Sequence, residues 1–198
     1  SQGKWSPEHW RFYRWSYYRH VEMVDAEIGR VLQALEDTGR AADTLVLLTS
    51  DHGEGMGHHR MVRKNCLYDE CCAVPMVVSL AGHVAANAAD RTTLVSGLDV
   101  MPTFCDYAGV EPPPHMRGVS LRPVLEGAGK LDRGHIVSEV MDNRGRMVRT
   151  PRYKYIKYAA DPVEQLFDMQ ADPGETKNLA TASEHRAALR EHLSLIHI

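Results

Sequence analysis

No stretch of the 198-residue chain reaches the roughly 18 consecutive apolar positions that a bilayer-spanning helix needs, so no membrane span is expected. The opening, Ser1-Gln2-Gly3-Lys4-Trp5, has no charged segment leading into an apolar core, and no signal peptide is visible in it. Neither sign of charge dominates. Lys and Arg number 23 against 26 Asp and Glu, a formal charge of −3 with no long basic run, which leaves no electrostatic footprint for nucleic acid. Cysteine is scarce too. Cys66, Cys71, Cys72 and Cys105 make no CxxC pair and no evenly spaced framework, and a bridge between the adjacent Cys71 and Cys72 would be strained. The four read as buried or semi-buried thiols. No internal repeat is present, and the sequence does not indicate compartment or oligomeric state.

The length suits one sizeable domain, or one with a small appendage. Residues 7–38 read as a long helix, with Ser6-Pro7 as its start and Gly39 as its stop. Val21, Val24, Ile28, Val31, Leu32 and Leu35 make an apolar stripe at helical spacing, read as packing surface. "TLVLLT" (44–49) is apolar without alternation, as a strand buried on both faces of a parallel sheet would be. "VPMVVSL" (74–80) reads as a second buried strand, and a helix feeding a buried strand marks an α/β fold. Residues 97–109 read as a helix that starts or kinks near Pro102 and closes at Gly109, and "VSLRPVLEG" as one or two helical turns. Beyond residue 127 the texture changes to short segments. "HIVSEV", "GRMVRT", "YKYIKY" and "EQLFDM" read as strands, the third half-exposed because Lys alternates with Tyr and Ile. "SEHRAALREHL" (183–193) closes the chain as a helix, and the final "LSLIHI" continues no pattern beyond a helix tail or an appended remnant. The expected division is therefore 1–127, an α/β portion, and 128–198, a small α+β subdomain.

The stretch "LLTSDHGEGMGHHRMVRK" (47–64) breaks off an apolar run at Asp51-His52. In open α/β sheets, ligands gather at the carboxyl ends of strands. A turn at Gly53 would swing both side chains to one centre, giving a carboxylate oxygen and an imidazole nitrogen for a divalent cation. Two ligands do not complete a site, and the same residues also read as a polar turn with Asp51 as cap and solvated histidines. His59 and Lys64, eight and thirteen residues after Asp51, supply groups that would neutralise an anionic ester oxygen beside a metal.

"TSDHGEGMGHHRMVRKNCLYDECCAVPMVV" resembles the sulfatase signature of the alkaline phosphatase superfamily. "YYRHVEMVDAEIGRVLQALEDTG" is similar to the helix that precedes the metal strand in that family, and "RTPRYKYIKY" with "EQLFDMQADPGETKNLA" to its C-terminal subdomain. The blocks stand in family order over roughly residues 13–192. The resemblance implies the C-terminal half of an alkaline-phosphatase-like sandwich, a mostly parallel sheet flanked by helices. A small α+β subdomain with an antiparallel sheet and a closing helix would follow. It implies Asp51 and His52 as ligands to a divalent metal, most often Ca2+, with Mn2+ or Zn2+ compatible with imidazole. Lys64 would contact the sulfate and His59 would line the same pocket. The implied reaction is hydrolysis of a sulfate ester, a small-molecule or carbohydrate one, by a formylglycine nucleophile.

Two departures stand out. His58 occupies a place where an acid is common and Arg60 one where glycine is common. The family's Cys-x-Pro/Ala-x-Arg and its early Asp-Asp are absent, because Cys72-Ala-Val-Pro-Met and Cys105-Asp-Tyr both fail the pattern. The chain is thus expected to be a C-terminal fragment, inactive alone, with the formylglycine upstream. The rival readings are a phosphonate or phosphate monoester hydrolase on the same scaffold, and a non-catalytic metal-binding fragment.

Overall fold

The computed structural model describes residues 5–140 and 144–196. Residues 1–4, on which the signal-peptide reading bears, and the last two residues of "LSLIHI" lie outside that range.

Helix α1 runs Pro7–Asp37. Ser6 caps it by accepting from the His9 N–H, and the His9 ring turns back to the Ser6 N–H, so two orphan amide donors are satisfied at once. It ends at Thr38, and Gly39 follows in the left-handed region (φ 68°). Its aromatic first half packs on the loop beyond the first strand. The Tyr13 hydroxyl donates to Glu54, and the Trp10 ring lies against Gly57. The apolar stripe of its second half finds no such cover among the described residues: none of its residues is buried, and Val31 is 69% exposed.

Strand β1 (Val46–Thr49) pairs with β2 (Met76–Ser79), Val46 opposite Ser79 and Thr49 opposite Met76. The pair is antiparallel, where the sequence suggested parallel neighbours. Parallel pairing needs a crossover that returns the chain to the same end of the sheet. Segment 50–75 holds only a 3-10 turn (His58–Arg60) and the one-turn helix α2 (Asp69–Cys72), and comes back at the end where β1 stops. Nor are these strands buried among the described residues: Leu48 is 40% and Val77 55% exposed. The apolar run thus describes strands whose cover is not supplied by the described residues.

Helix α3 (Val100–Ala108) follows a short 3-10 turn and closes at Gly109, whose φ of 67° suits glycine. Pro102 sits in its first turn, where its missing N–H costs nothing. Asp99 does more than cap. Fully buried, it accepts from the Ser96 and Val119 amides and takes both guanidinium nitrogens of Arg133, at 2.6 and 2.7 Å. Helix α4 (Arg122–Leu125) ends before Gly127.

Strands β3 (Ile136–Val140), β4 (Gly145–Arg149), β5 (Tyr153–Tyr158) and β6 (Glu164–Asp168) form an antiparallel meander in chain order. Both faces of this sheet are covered. Met147, Ile156 and Phe167 pack under Leu67 and Met169. Val148, Tyr155 and Leu166 pack with Leu179 and Ile196, next to helix α5 (Arg186–Leu195). Leu193 to Leu195 of the terminal "LSLIHI" continue α5, and Ile196 is buried behind it. Strand β5 is therefore not half-exposed: Lys154, Tyr155 and Ile156 all have 0% exposure. The alternation places Lys154 with Ile156 on the face toward Leu67. Its charge is met there by Asp69 at 2.7 Å and Glu175 at 2.8 Å.

Candidate functional site

The loop that leaves β1 turns sharply at Gly53, and no other residue fits there. A Cβ at this position would lie 1.9 Å from the Glu70 carbonyl oxygen, and the Gly53 N–H donates to the Cys71 carbonyl at 2.9 Å. The turn brings neighbouring side chains to one side. Asp51 Oδ1 accepts from the His52 N–H at 2.9 Å, and Oδ2 lies 3.3 Å from His52 Nε2. The Ser50 hydroxyl donates to the His52 carbonyl at 2.8 Å and pins the turn from the strand side.

The far limb of the loop closes the group. Gly55 N–H donates to the Arg63 carbonyl at 3.0 Å, which carries Lys64 back to His52, Nζ to Nε2 2.7 Å. His52 Nδ1 lies 2.8 Å from the Gly53 carbonyl oxygen, which can only accept, so Nδ1 carries the proton. Nε2 therefore presents its lone pair, and the Lys64 ammonium donates to it. An imidazole whose second nitrogen is tied to a backbone carbonyl is held as metal-binding histidines are held. Desolvation pushes the Asp51 carboxyl up. The adjacent His52 ring, backbone N–H donors and the Lys64 ammonium outweigh that and hold it below the usual carboxylate range.

Four non-glycine residues of this loop, Met56, His59, Arg60 and Arg63, sit at positive φ. Such strain persists only where the surroundings over-determine it. It turns His59 onto Tyr68, the rings stacked at 3.9 Å with an 11° tilt. So the structure gathers Asp51, His52 and Lys64 into one group, while His59 stacks on the start of α2. His58 pairs with Glu70 at 2.9 Å. The carboxylate of Glu54 accepts from both Tyr13 and the Arg63 amide, joining α1 to the limb that carries Lys64.

Asp51 and His52 offer one oxygen and one nitrogen on a common side, a donor set that fits part of a divalent-cation site. Among the described residues no group of three or more His, Cys, Asp or Glu side chains is placed to hold a metal. Calcium takes six to eight oxygen ligands and structural zinc four. The cysteines belong to the scaffold: Cys66 and Cys71 are buried with sulfurs 2.9 Å apart as free thiols, and burial pushes the Cys72 thiol up to about 11.

The residues that sequence reasoning missed are Ser50, Glu54, Tyr68, Asp69, Lys154 and Glu175. Ser50 and Glu54, one and three residues from Asp51, were within sight. Tyr68 meets His59 nine residues back, but Asp69, Lys154 and Glu175 are joined across 85 and 106 residues, which no local spacing reveals.

The loop sets Lys64 beside Asp51 and His52, a candidate cation pair at the end of β1. Residues 57–196 match the family described as N-sulphoglucosamine sulphohydrolase, C-terminal, and the chain belongs to that C-terminal region of the sulfatase family. Residues 1–97 also match the type I phosphodiesterase / nucleotide pyrophosphatase family. The chain is 38% identical to a Delta 4,5-hexuronate-2-O-sulfatase of Bacteroides thetaiotaomicron over 97% of its own length and 42% of the relative's. It superposes on a solved 2-O GAG sulfatase with a TM-score of 0.91 at 36% identity, covering 98% of this chain and 44% of that one. A phosphonate monoester hydrolase of Agrobacterium radiobacter matches with a TM-score of 0.85 at 31% identity, over 98% of this chain and 42% of that one. The chain thus spans about two fifths of the length of such relatives. Family membership brings with it the expectation of a metal cofactor. No helix among the described residues is long and apolar enough to cross a membrane.

Proposed function

We propose that this chain supplies half of the metal- and anion-binding apparatus of a sulfatase, and that the complete enzyme hydrolyses carbohydrate sulfate esters. The observation that carries this is the meeting of Asp51 Oδ2, His52 Nε2 and Lys64 Nζ, within 3.3 and 2.7 Å, at the carboxyl end of β1. Asp51 and His52 would hold a divalent cation, calcium by family habit, with Mn2+ or Zn2+ as the alternatives an imidazole allows. When bound, such an ion polarises an ester oxygen as a Lewis acid. Lys64 serves the sulfate. Its compact ammonium follows non-planar oxygens better than a planar guanidinium, and it leaves Nε2 when another ligand takes that lone pair, offering three donors to the anion. His59 lines the approach from its perch on Tyr68. Charge developing in the reaction would then be met by positive groups gathered on one loop.

The carbohydrate assignment is supported by the hexuronate and GAG sulfatase relatives, and uronic acid 2-O-sulfates are the substrates to try first. No Cys-x-Pro/Ala-x-Arg occurs in the chain. The formylglycine and the remaining metal ligands are assigned to the rest of the longer protein, against which the open faces of α1, β1 and β2 would pack. Residues 1–127 would belong to the α/β domain and 128–198 to the subdomain.

A second reading, phosphonate or phosphate monoester hydrolysis, is favoured by the 0.85 superposition on the phosphonate monoester hydrolase. Rates of the full-length protein on a 2-O-sulfated hexuronate disaccharide, an aryl sulfate and an aryl phosphonate separate the two. The sulfates are expected to turn over at least tenfold faster, and a phosphonate preference would overturn the sulfatase reading.

A further inference from the structure

A lysine with 0% exposure is an expensive choice for a sheet core. Its charge loses its hydration, and a well-packed apolar side chain of similar volume is often as stable or more so. Lys154 is nonetheless there, with Asp69 Oδ1 at 2.7 Å and Glu175 Oε1 at 2.8 Å. Glu175 spends its other oxygen on the Asp69 backbone N–H at 2.6 Å, and does so from a positive φ of 52°, a strained position for a non-glycine. The lysine thus grips Asp69 directly and through Glu175. Asp69 opens α2, and α2 touches both limbs of the candidate site. The Cys71 carbonyl accepts from Gly53, the residue after His52, at 2.9 Å, and Cys71 Sγ reaches the Arg63 carbonyl, just before Lys64, at 3.4 Å.

We propose that Lys154 is a positioning residue for the Asp51–His52–Lys64 group, acting from β5 through Asp69, Glu175 and the α2 turn to fix Gly53 and Arg63. This rests on the functional reading of that group. The grip spans the expected division near residue 127, so the second sheet serves as the bench on which the loop of the first is clamped. Its ion pair then sets where a loop stands more than it sets how firmly the sheet folds.

The test is Lys154→Met, with Asp69→Asn as a second variant, both in the full-length protein. Two readings are taken: hydrogen exchange by mass spectrometry, and Mn2+ affinity by the EPR signal of the free ion. Peptides spanning 52–56 report the loop, and those spanning 145–149 and 153–158 report the sheet. Exchange at 52–56 is expected to rise at least tenfold in either variant, while the sheet peptides stay within threefold, and Mn2+ is expected to bind at least tenfold more weakly. If exchange rises equally in loop and sheet, or if Mn2+ affinity is unchanged, Lys154 is ordinary scaffold and the proposal is overturned. Should Lys154→Met fail to fold, the same two readings on Asp69→Asn decide it. Metal binding that survives Asp51→Ala in the parent protein would instead discredit the ligand pair, a failure distinct from any result at Lys154.

Discussion

The sheet of β3–β6 has cover on both faces, with Val148, Tyr155, Ile156 and Leu166 at 0% exposure, whereas Leu48 of β1 is 40% and Val77 of β2 55% exposed. Helix α1 lies on the open side of that contrast: 31 residues with none buried, against an α5 of 10 residues beside the buried Leu179 and Ile196. The candidate site is built at the junction. Its proposed ligands come from the loop of the poorly covered half, and its footing, Lys154 with Glu175 holding Asp69, from the well-covered one. Closed packing and chemistry are thus divided between regions, and precision at the loop is borrowed from a neighbour with a complete core.

Substitutions can sharpen or break that contrast. The largest stability loss is expected within the covered sheet. Phe167→Ala removes a ring packed among Leu67, Met147 and Ile156, and should cost about 4 kcal/mol in denaturant unfolding. A loss under about 1 kcal/mol would show that this sheet is no better packed than the first.

Next comes the buried pair that ties segment 94–121 to Arg133. Asp99→Asn leaves the Arg133 guanidinium half-paired and should cost about 3 kcal/mol. The same pair gives a pH signature. Desolvation raises the Asp99 carboxyl, but the Arg133 fork and two backbone donors prevail and leave it below its ordinary value. A depressed folded-state value means the contribution is complete above the unfolded carboxylate range near 3.9 and fades as pH falls through the lower folded value. Acid titration of stability should therefore be shallower in Asp99→Asn below about pH 4. An unchanged acid limb would argue that this carboxylate is not held low.

Gly53→Ala follows, because its methyl would sit 1.9 Å from a backbone oxygen and must push the turn aside. About 2 kcal/mol of stability is expected to go, together with most of the turnover of the full-length protein. Wild-type turnover in this variant would mean that the turn has room to spare.

The smallest effect is expected on the open side. Val31→Ser, on a residue 69% exposed, should change the stability of the 198-residue chain by less than about 0.5 kcal/mol, yet cost about 1–2 kcal/mol in the full-length protein, where the remaining chain is expected to cover that face. Equal effects in both settings would show that α1 is solvent-facing in the enzyme as well.

Much of this molecule was legible in the residues themselves. Ser6-Pro7 and Gly39 mark both ends of α1, and Gly109 and Gly127 the ends of α3 and α4, because caps and stops act locally. Asp51 and His52 were legible as a pair because a glycine follows them at a strand end. What could not be read depends on distant partners. An apolar run such as "TLVLLT" is the same in parallel and antiparallel pairs, and only the returning segment decides the direction. The Lys–Tyr alternation of β5 signals an exposed face until Asp69, 85 residues earlier, turns out to meet the charge. His59 was expected to line the pocket of Lys64; that its left-handed backbone stacks its ring on Tyr68 was not foreseen. That twist has no signature in a run of His and Arg.

The most direct test is the metal content of the full-length protein and of Asp51→Ala, by inductively coupled plasma mass spectrometry, with melting temperature measured alongside. Loss of one divalent ion per chain together with turnover, and a metal-free melting temperature within about 2 °C of the parent, is the expected result. A full complement of tightly held ion in the variant would contradict the assignment of Asp51 and His52 as its ligands.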